Sequence, residues 1–427
     1  MKEKFIKSTI ILVIGGIITK LLGMIIRIIM TRFVGVNGIG LYMLILPTFN
    51  LFITLATMSF PVAISKIVAE DSRNNKKLVL GMIPVALIFN LLLIIIIIVF
   101  APFISSKLLH NSLLYLPIFT IAFTLPFITI SSILRGYFFG KQKMLPQVIS
   151  NIGEQLVRII LIIIISPILL KRGIIYAVSG LIGFNILSET TSIIILFLFA
   201  PRDIKINKND LKYDQNNTKD ILNIAIPTTM GRIISAIGLF LEPIIITYVL
   251  LKLGYSSSYI TFQYGILSGY VIPIVSMPSF LSGAISTALL PVITKYHKLN
   301  KPKLVNKKIK QAIILSLVIG ESFTLIFFFK SELVLKLIFN DIRGSKLLKI
   351  ASIIYFISYI ESPIICALQA MDKSKVIMIS NIFGIIIRTI SLFIFTYLDI
   401  GVKSVLYASL IYYIFIISYH IIALKKQ

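Results

Sequence analysis

The sequence predicts an all-α polytopic membrane protein of about twelve transmembrane helices, arranged as two parallel six-helix repeats around a central cleft. Three observations lead there. Mean hydropathy is +0.99, with 57% hydrophobic and only 14% charged residues, whereas soluble domains carry about a quarter charged residues. Apolar segments of about 20 residues, enough to cross a ~30 Å hydrocarbon layer, alternate with short polar stretches. Finally, Ile149-Ser150-Asn151-Ile152 returns as Ile379-Ser380-Asn381-Ile382, a shift of 230 that also matches Lys143 to Lys373, Arg158 to Arg388 and Pro61-Val62 to Pro291-Val292. In a chain this rich in Ile, the weight of that match falls on the Asn, Lys, Arg and Pro residues.

In order, the spans fall at about 7–30, 39–65, 78–104, 113–134, 147–170, 173–200, 220–250, 258–292, 309–329, 347–369, 375–399 and 402–424. Lys2, Lys4 and Lys7 before an apolar run have the order of a signal sequence, but no small-x-small site follows, so the run reads as a retained first span. Assigning alternate loops to opposite sides puts most of the 42 Lys and Arg residues on the N-terminal side, which predicts a cytoplasmic location for both termini. The stretch 201–219, with Arg202, Lys205, Lys208, Lys212 and Lys219, and the stretch 295–310, with seven lysines, account for much of the net charge of +26 without nucleic acid. The loop 330–349 breaks the pattern by carrying five basic residues on the outer side. An even number of spans per half makes the repeat parallel, giving a bundle over 1–200, a cytoplasmic linker over 201–219 and a second bundle over 220–427.

An ionisable side chain costs about 2.5 kcal/mol or more at a helix centre in the membrane, so such positions are the functional candidates. Lys20 and Arg27 are seven apart and share a helix face. Arg232 sits in the corresponding first helix of the second half. Cations from both helices, facing one cleft, make a site for an anion such as phosphate or pyrophosphate, with Arg suited to bidentate contact; the competing reading pairs them with acids or lets them snorkel to the interface. Glu154 and Arg158 have the i, i+4 spacing of an intrahelical ion pair. Its repeat-mate Arg388 has Gly384 where the acid would be and needs another partner or a cavity. Glu189, Glu242, Glu321 and Glu361 either neutralise arginines or carry a coupling H+ or Na+; spacing does not choose between them.

Prolines interrupt many spans, and the eighth combines Gly265, Gly269, Pro273, Pro278 and Gly283, which marks it as the helix most suited to flex. Cys366 stands alone in an apolar run, which excludes an internal disulfide. His110, His297 and His420 are isolated, so the sequence predicts no metal site, no cofactor and no enzyme chemistry. Without a G-x-x-x-x-G-K-[ST] motif, energy for transport must come from a gradient or the substrate.

Gly35-Val36-Asn37-Gly38-Ile39-Gly40-Leu41-Tyr42, Phe60-Pro61-Val62-Ala63-Ile64-Ser65-Lys66 and Leu134-Arg135-Gly136-Tyr137-Phe138-Phe139-Gly140 resemble the stage V sporulation protein B and polysaccharide biosynthesis family, within the multidrug/oligosaccharidyl-lipid/polysaccharide superfamily. Glu154-Gln155-Leu156-Val157-Arg158, Ile226-Pro227-Thr228-Thr229 through Arg232, and Tyr264-Gly265-Ile266-Leu267-Ser268-Gly269 are similar too. Thr294-Lys295 departs from the family, which tends to carry Ser-Glu there. The resemblance implies a MATE-like flippase in the bacterial cytoplasmic membrane, moving an anionic lipid-linked oligosaccharide or peptidoglycan precursor by alternating access, with Lys20, Arg27 and Arg232 meeting its pyrophosphate. It also implies fourteen spans in related lipid II flippases, the last two forming a groove for the lipid tail, against about twelve here. Two other classes stand beside it: a cation-coupled multidrug exporter of the same fold, which would favour an acidic cleft, and a non-transport scaffold for envelope or spore-coat assembly, which would need no buried charge.

Overall fold

The computed structural model describes residues 2–70, 75–200 and 215–425; most of the predicted linker, including Arg202, Lys205, Lys208 and Lys212, lies outside the described residues, as do the side chains of Lys2, Lys4 and Lys7. Every regular element among the described residues is helical: α1 Lys2–Thr57, α2 Phe60–Ala69, α3 Asn75–Phe103, α4 Tyr115–Gly140, α5 Met144–Arg172, α6 Ile174–Leu198, α7 Gln215–Lys252, α8 Ser257–Tyr264, α9 Ile272–Lys298, α10 Pro302–Phe329, α11 Ser331–Phe339, α12 Ser345–Phe356, α13 Glu361–Ala370, α14 Ser374–Tyr397 and α15 Ser404–Lys425. Among the described residues, eleven helical stretches are long and apolar enough to cross a membrane.

The first of these, Ile14–Ala69, covers two of the predicted spans. The 56 residues of α1 alone would reach roughly 84 Å at ~1.5 Å per residue, far beyond one bilayer crossing. The chain breaks instead at Gly35, whose φ of 67° and ψ of −176° belong to a region only glycine enters readily. A second break follows at Met58 and Ser59, both with positive φ, and Pro61 in the first turn of α2 restarts the helix where its missing N–H costs nothing. The predicted second span is therefore shared between the end of α1 and α2.

Contacts divide the chain into two compact units, Met1–Ile237 and Gly238–Gln427. In the first, α2 packs on α4 at two glycines: a Cβ at Gly136 would lie 2.9 Å from Pro61 Cα, and one at Gly140 would lie 2.7 Å from the Ser65 carbonyl oxygen. Around that crossing Phe60, Ile64, Val68, Met82, Ile133 and Phe138 form a dry core, joined by Ile221 and Ala225 at the start of α7. In the second unit, α8 and α9 are joined without a break by a π-helical stretch over Gly265–Val271, so Ser257–Lys298 runs as one continuous helical span whose winding changes at the glycines. A smaller core of Ile293, Val305, Ile309, Ala367 and Met371 ties α9, α10 and α13 together.

The shift of 230 reappears in the local structure. The span Tyr115–Gly140 corresponds to the stretch from Ser345 to Ala370, α5 starts at Met144 and α14 at Ser374, and the left-handed residues His110 and Gln142 correspond to Asn340 and Asp372.

Candidate functional site

Inside the first unit, α4, α5 and α6 enclose a connected set of charges. Glu154 accepts hydrogen bonds from Arg158 at 2.8 Å, one turn along α5, and from Arg135 of α4 at 2.7 Å. Arg135 also donates to Glu189 at 3.2 Å and to Ser192 at 3.0 Å on α6, and Ser131 donates to Glu189 at 2.5 Å. Arg158 reaches Ser188 at 3.2 Å. Two arginines and two glutamates thus cancel, which is the arrangement a low-dielectric interior requires. The expected Glu154–Arg158 pair is present, but it is one edge of a larger hub.

Arg135 is the member that span prediction does not reach, because the fourth span was expected to end at about residue 134, while α4 continues to Gly140. The signal lay in the adjacent Gly136 and Gly140, whose four-residue spacing marks a helix face in close contact with another helix.

In the second unit, Arg388 of α14 finds the partner its own helix lacks: it donates to Glu242 of α7, which also accepts from Tyr264 at 2.9 Å. Two of the uncommitted glutamates, Glu189 and Glu242, are therefore arginine acceptors. Glu321 is exposed, and Glu361 is half-buried within electrostatic reach of Tyr412 and Tyr413.

The candidate anion-binding cations sit differently. Arg27 is half-buried, and Tyr42 stands within electrostatic reach of both Arg27 and Arg158. Arg232 is exposed and donates to Ser59 at 3.3 Å, in the break between α1 and α2. Among the described residues, neither Arg27 nor Arg232 forms an ion pair with an acid. Lys20 is exposed two turns before Arg27. No group of three or more His, Cys, Asp or Glu suited to a metal occurs among the described residues.

Residues 5–297 match the family model described as polysaccharide biosynthesis protein. The chain belongs to the polysaccharide biosynthesis protein family. A second model, MatE, matches residues 267–394. Stage V sporulation protein B of Bacillus subtilis (strain 168) is 32% identical over 403 residues, covering 92% of this chain and 78% of that protein. Lipid II flippase MurJ of the same organism is 24% identical over 429 residues, covering 91% and 77%. Among solved structures, lipid II flippase MurJ in an inward closed conformation superposes with a TM-score of 0.73 at 17% identity, covering 98% of this chain and 88% of that one. An inward-facing multidrug resistance MATE family transporter of the MOP superfamily gives a TM-score of 0.73 at 17% identity, with 96% of each chain covered. This member of the family is a multi-pass membrane protein with a MATE-like fold, and the relatives it matches include a flippase and a transporter rather than enzymes.

Proposed function

We propose that the protein carries a lipid-linked oligosaccharide or peptidoglycan precursor across the cytoplasmic membrane by alternating access, with both termini in the cytoplasm and Lys20, Arg27 and Arg232 receiving the substrate's pyrophosphate. One observation carries this reading. The buried glutamates are spent on Arg135, Arg158 and Arg388, while Arg27 and Arg232 have no acid among the described residues. The half-buried Arg27 guanidinium without a counter-charge is costly at rest and gains strongly from an anion in bidentate contact, and the exposed Arg232 is open to the same anion. The likeness to stage V sporulation protein B and lipid II flippase MurJ supports a cargo of lipid and sugar. The sequence match at a shift of 230, with helix starts at Met144 and Ser374 at the same offset, supports two six-helix repeats of the kind alternating access uses.

A cation-coupled multidrug exporter would want free carboxylates in its cleft. Glu154, Glu189 and Glu242 instead accept hydrogen bonds from arginines, which favours the anionic cargo. Where coupling to H+ or Na+ operates, we assign it to Glu154 and Glu189, which share one guanidinium, so that protonating either carboxyl would release Arg135 toward the other.

The test is flipping of a fluorescent polyprenyl-pyrophosphate saccharide in vesicles reconstituted with the full chain. Arg27→Ala and Arg232→Ala should each slow flipping about tenfold or more, the loss expected when a charge-assisted contact to phosphate is removed. Unchanged flipping by the double variant, with normal membrane insertion, would overturn the reading.

A further inference from the structure

A second cationic site lies away from these residues, at one end of the second unit. There the turn between α9 and α10 and the turn between α13 and α14 line an open pocket of about 430 Å³ whose polar lining is His297, Asn300, Lys301 and Lys373 and whose apolar lining is Pro302, Val305 and Met371. Left-handed residues, Asn300 and Asp372, make both turns tight.

Two long helices open onto this cavity. Lys301 precedes the first turn of α10 and Lys373 that of α14; neither side chain caps its helix, and neither first turn contains an acid. Helix N-termini expose unsatisfied N–H groups and carry about half a positive charge each, and a capping oxygen or an acid is the usual complement. Here lysines stand in that place. Lys373 is held at the rim by donating to the Ala423 carbonyl at the end of α15, 2.7 Å away. The acid in the same turn, Asp372, is exposed. Two positive helix ends, two lysines and a histidine around one cavity are an arrangement that an anion completes.

We propose that this cavity binds the phosphate of an anionic phospholipid headgroup. The phosphate oxygens take hydrogen bonds from His297, Lys301, Lys373 and the N–H groups at the start of α14, since Pro302 lacks an N–H and those of Leu304 and Val305 already donate to the Lys301 carbonyl, while Val305 and Met371 cover the apolar part of the headgroup region. A lipid is favoured over a soluble phosphate by position and by lining. The cavity lies at the ends of four apolar spans, where headgroups of the adjoining leaflet sit, and Val305 and Met371 belong to the buried cluster that continues between those spans. Its volume also exceeds what a bare phosphate ion fills. The proposal does not depend on the identity of the transported substrate.

The test is native mass spectrometry of the full chain released from nanodiscs of phosphatidylglycerol and phosphatidylcholine in equal parts. The unmodified protein should retain phosphatidylglycerol in preference. Lys301→Glu should cut that retention about tenfold, the effect of replacing a charge-assisted contact by repulsion, while Lys307→Glu on the same lysine-rich segment, an equal change of charge outside the cavity lining, should leave it within about twofold. A glutamate at the N-terminal cap suits the helix dipole, so Lys301→Glu should fold; His297→Gln combined with Lys301→Gln gives a milder second variant, and thermal unfolding of each verifies the fold. Equal losses in Lys301→Glu and Lys307→Glu, or no loss in either, would overturn the proposal. Saturable binding of inorganic phosphate that displaces phosphatidylglycerol would assign the cavity to a soluble anion and overturn the lipid assignment.

Discussion

Arg388 and Glu242 are 146 residues apart, and their pairing is the interaction on which the second unit's interior charge balance rests. Replacing Glu242 by Gln would leave Arg388 buried without a counter-charge, and breaking a buried pair from one side costs about 3–5 kcal/mol. Thermal unfolding in detergent should show a clear drop for Glu242→Gln. The double variant Glu242→Gln with Arg388→Met should recover much of the loss, because no charge is then orphaned. In the first unit Glu154→Gln should be more harmful than Arg158→Gln, since Glu154 holds two guanidiniums and Arg158 only one carboxylate.

At the loop between α11 and α12, the Asp341 carboxylate is lifted by partial burial but pulled lower overall by hydrogen bonds from the Arg343 guanidinium and backbone N–H, so it ends below its usual range. A depressed folded-state pKa stabilises the loop above the unfolded value and loses that contribution as pH falls through the folded one. Hydrogen exchange of residues 339–344 should therefore quicken only below about pH 4, the ordinary Asp range. Asp341→Asn should give fast exchange at neutral pH that no longer responds to acid.

At the scale of elements, two glycine substitutions of identical chemistry should move stability in opposite directions. Gly136→Ala places a methyl 2.9 Å from the backbone of Pro61, where neither helix can yield cheaply, and overpacking of this kind costs about 1–3 kcal/mol. Gly283→Ala meets nothing within 4 Å in the middle of α9, so it should add about 0.5–1 kcal/mol through better helix propensity. Thermal midpoints of the two variants, measured side by side, decide this. The first of them also bears on the break at Met58 and Ser59, because α2 can only follow its left-handed turn if it docks closely on α4. A run of apolar residues in one dimension reads as one span whether or not the chain changes direction inside it. This is why the predicted second span divides at Ser59 while the spans over α5, α6, α10 and α14 match their predicted places to within several residues.

For the whole molecule, the alternation of spans in the second unit sorts its turns between two ends. The Tyr255 hydroxyl donates to Asp399 at 2.9 Å, linking the turns after α7 and α14 at one end, and the lipid-site cavity joins the turns at 299–301 and 371–373 at the other. In a Cys366→Ser background, cysteines placed at Asn300 and Asp372 should react with a membrane-impermeant maleimide from the cytoplasmic side, and one at Ser256 only from outside. Reaction of Ser256→Cys and Asn300→Cys from the same side would refute the predicted orientation. The basic loop over 330–349, expected on the outer side from the charge count that it disturbs, contains α11, a nine-residue helix with Leu333 and Leu337 exposed beside Lys330 and Lys336. Such a mixed face suits the membrane interface, where lysines serve as anchors as well as topology signals.

What the sequence determined by itself is what depends on local pattern: the membrane as solvent, the helical spans of about membrane length, the family resemblance, and the Glu154–Arg158 pair one helical turn apart. What only the tertiary structure decided is which helix faces which. It brought Arg135 to Glu189 and Arg388 to Glu242, and so separated these arginines from Arg27 and Arg232, which have no ion pair with an acid among the described residues. The physical reason is that helical periodicity fixes a side chain's direction only relative to its own axis, while the neutralisation of a buried charge depends on the packing of neighbouring helices across tens or hundreds of residues.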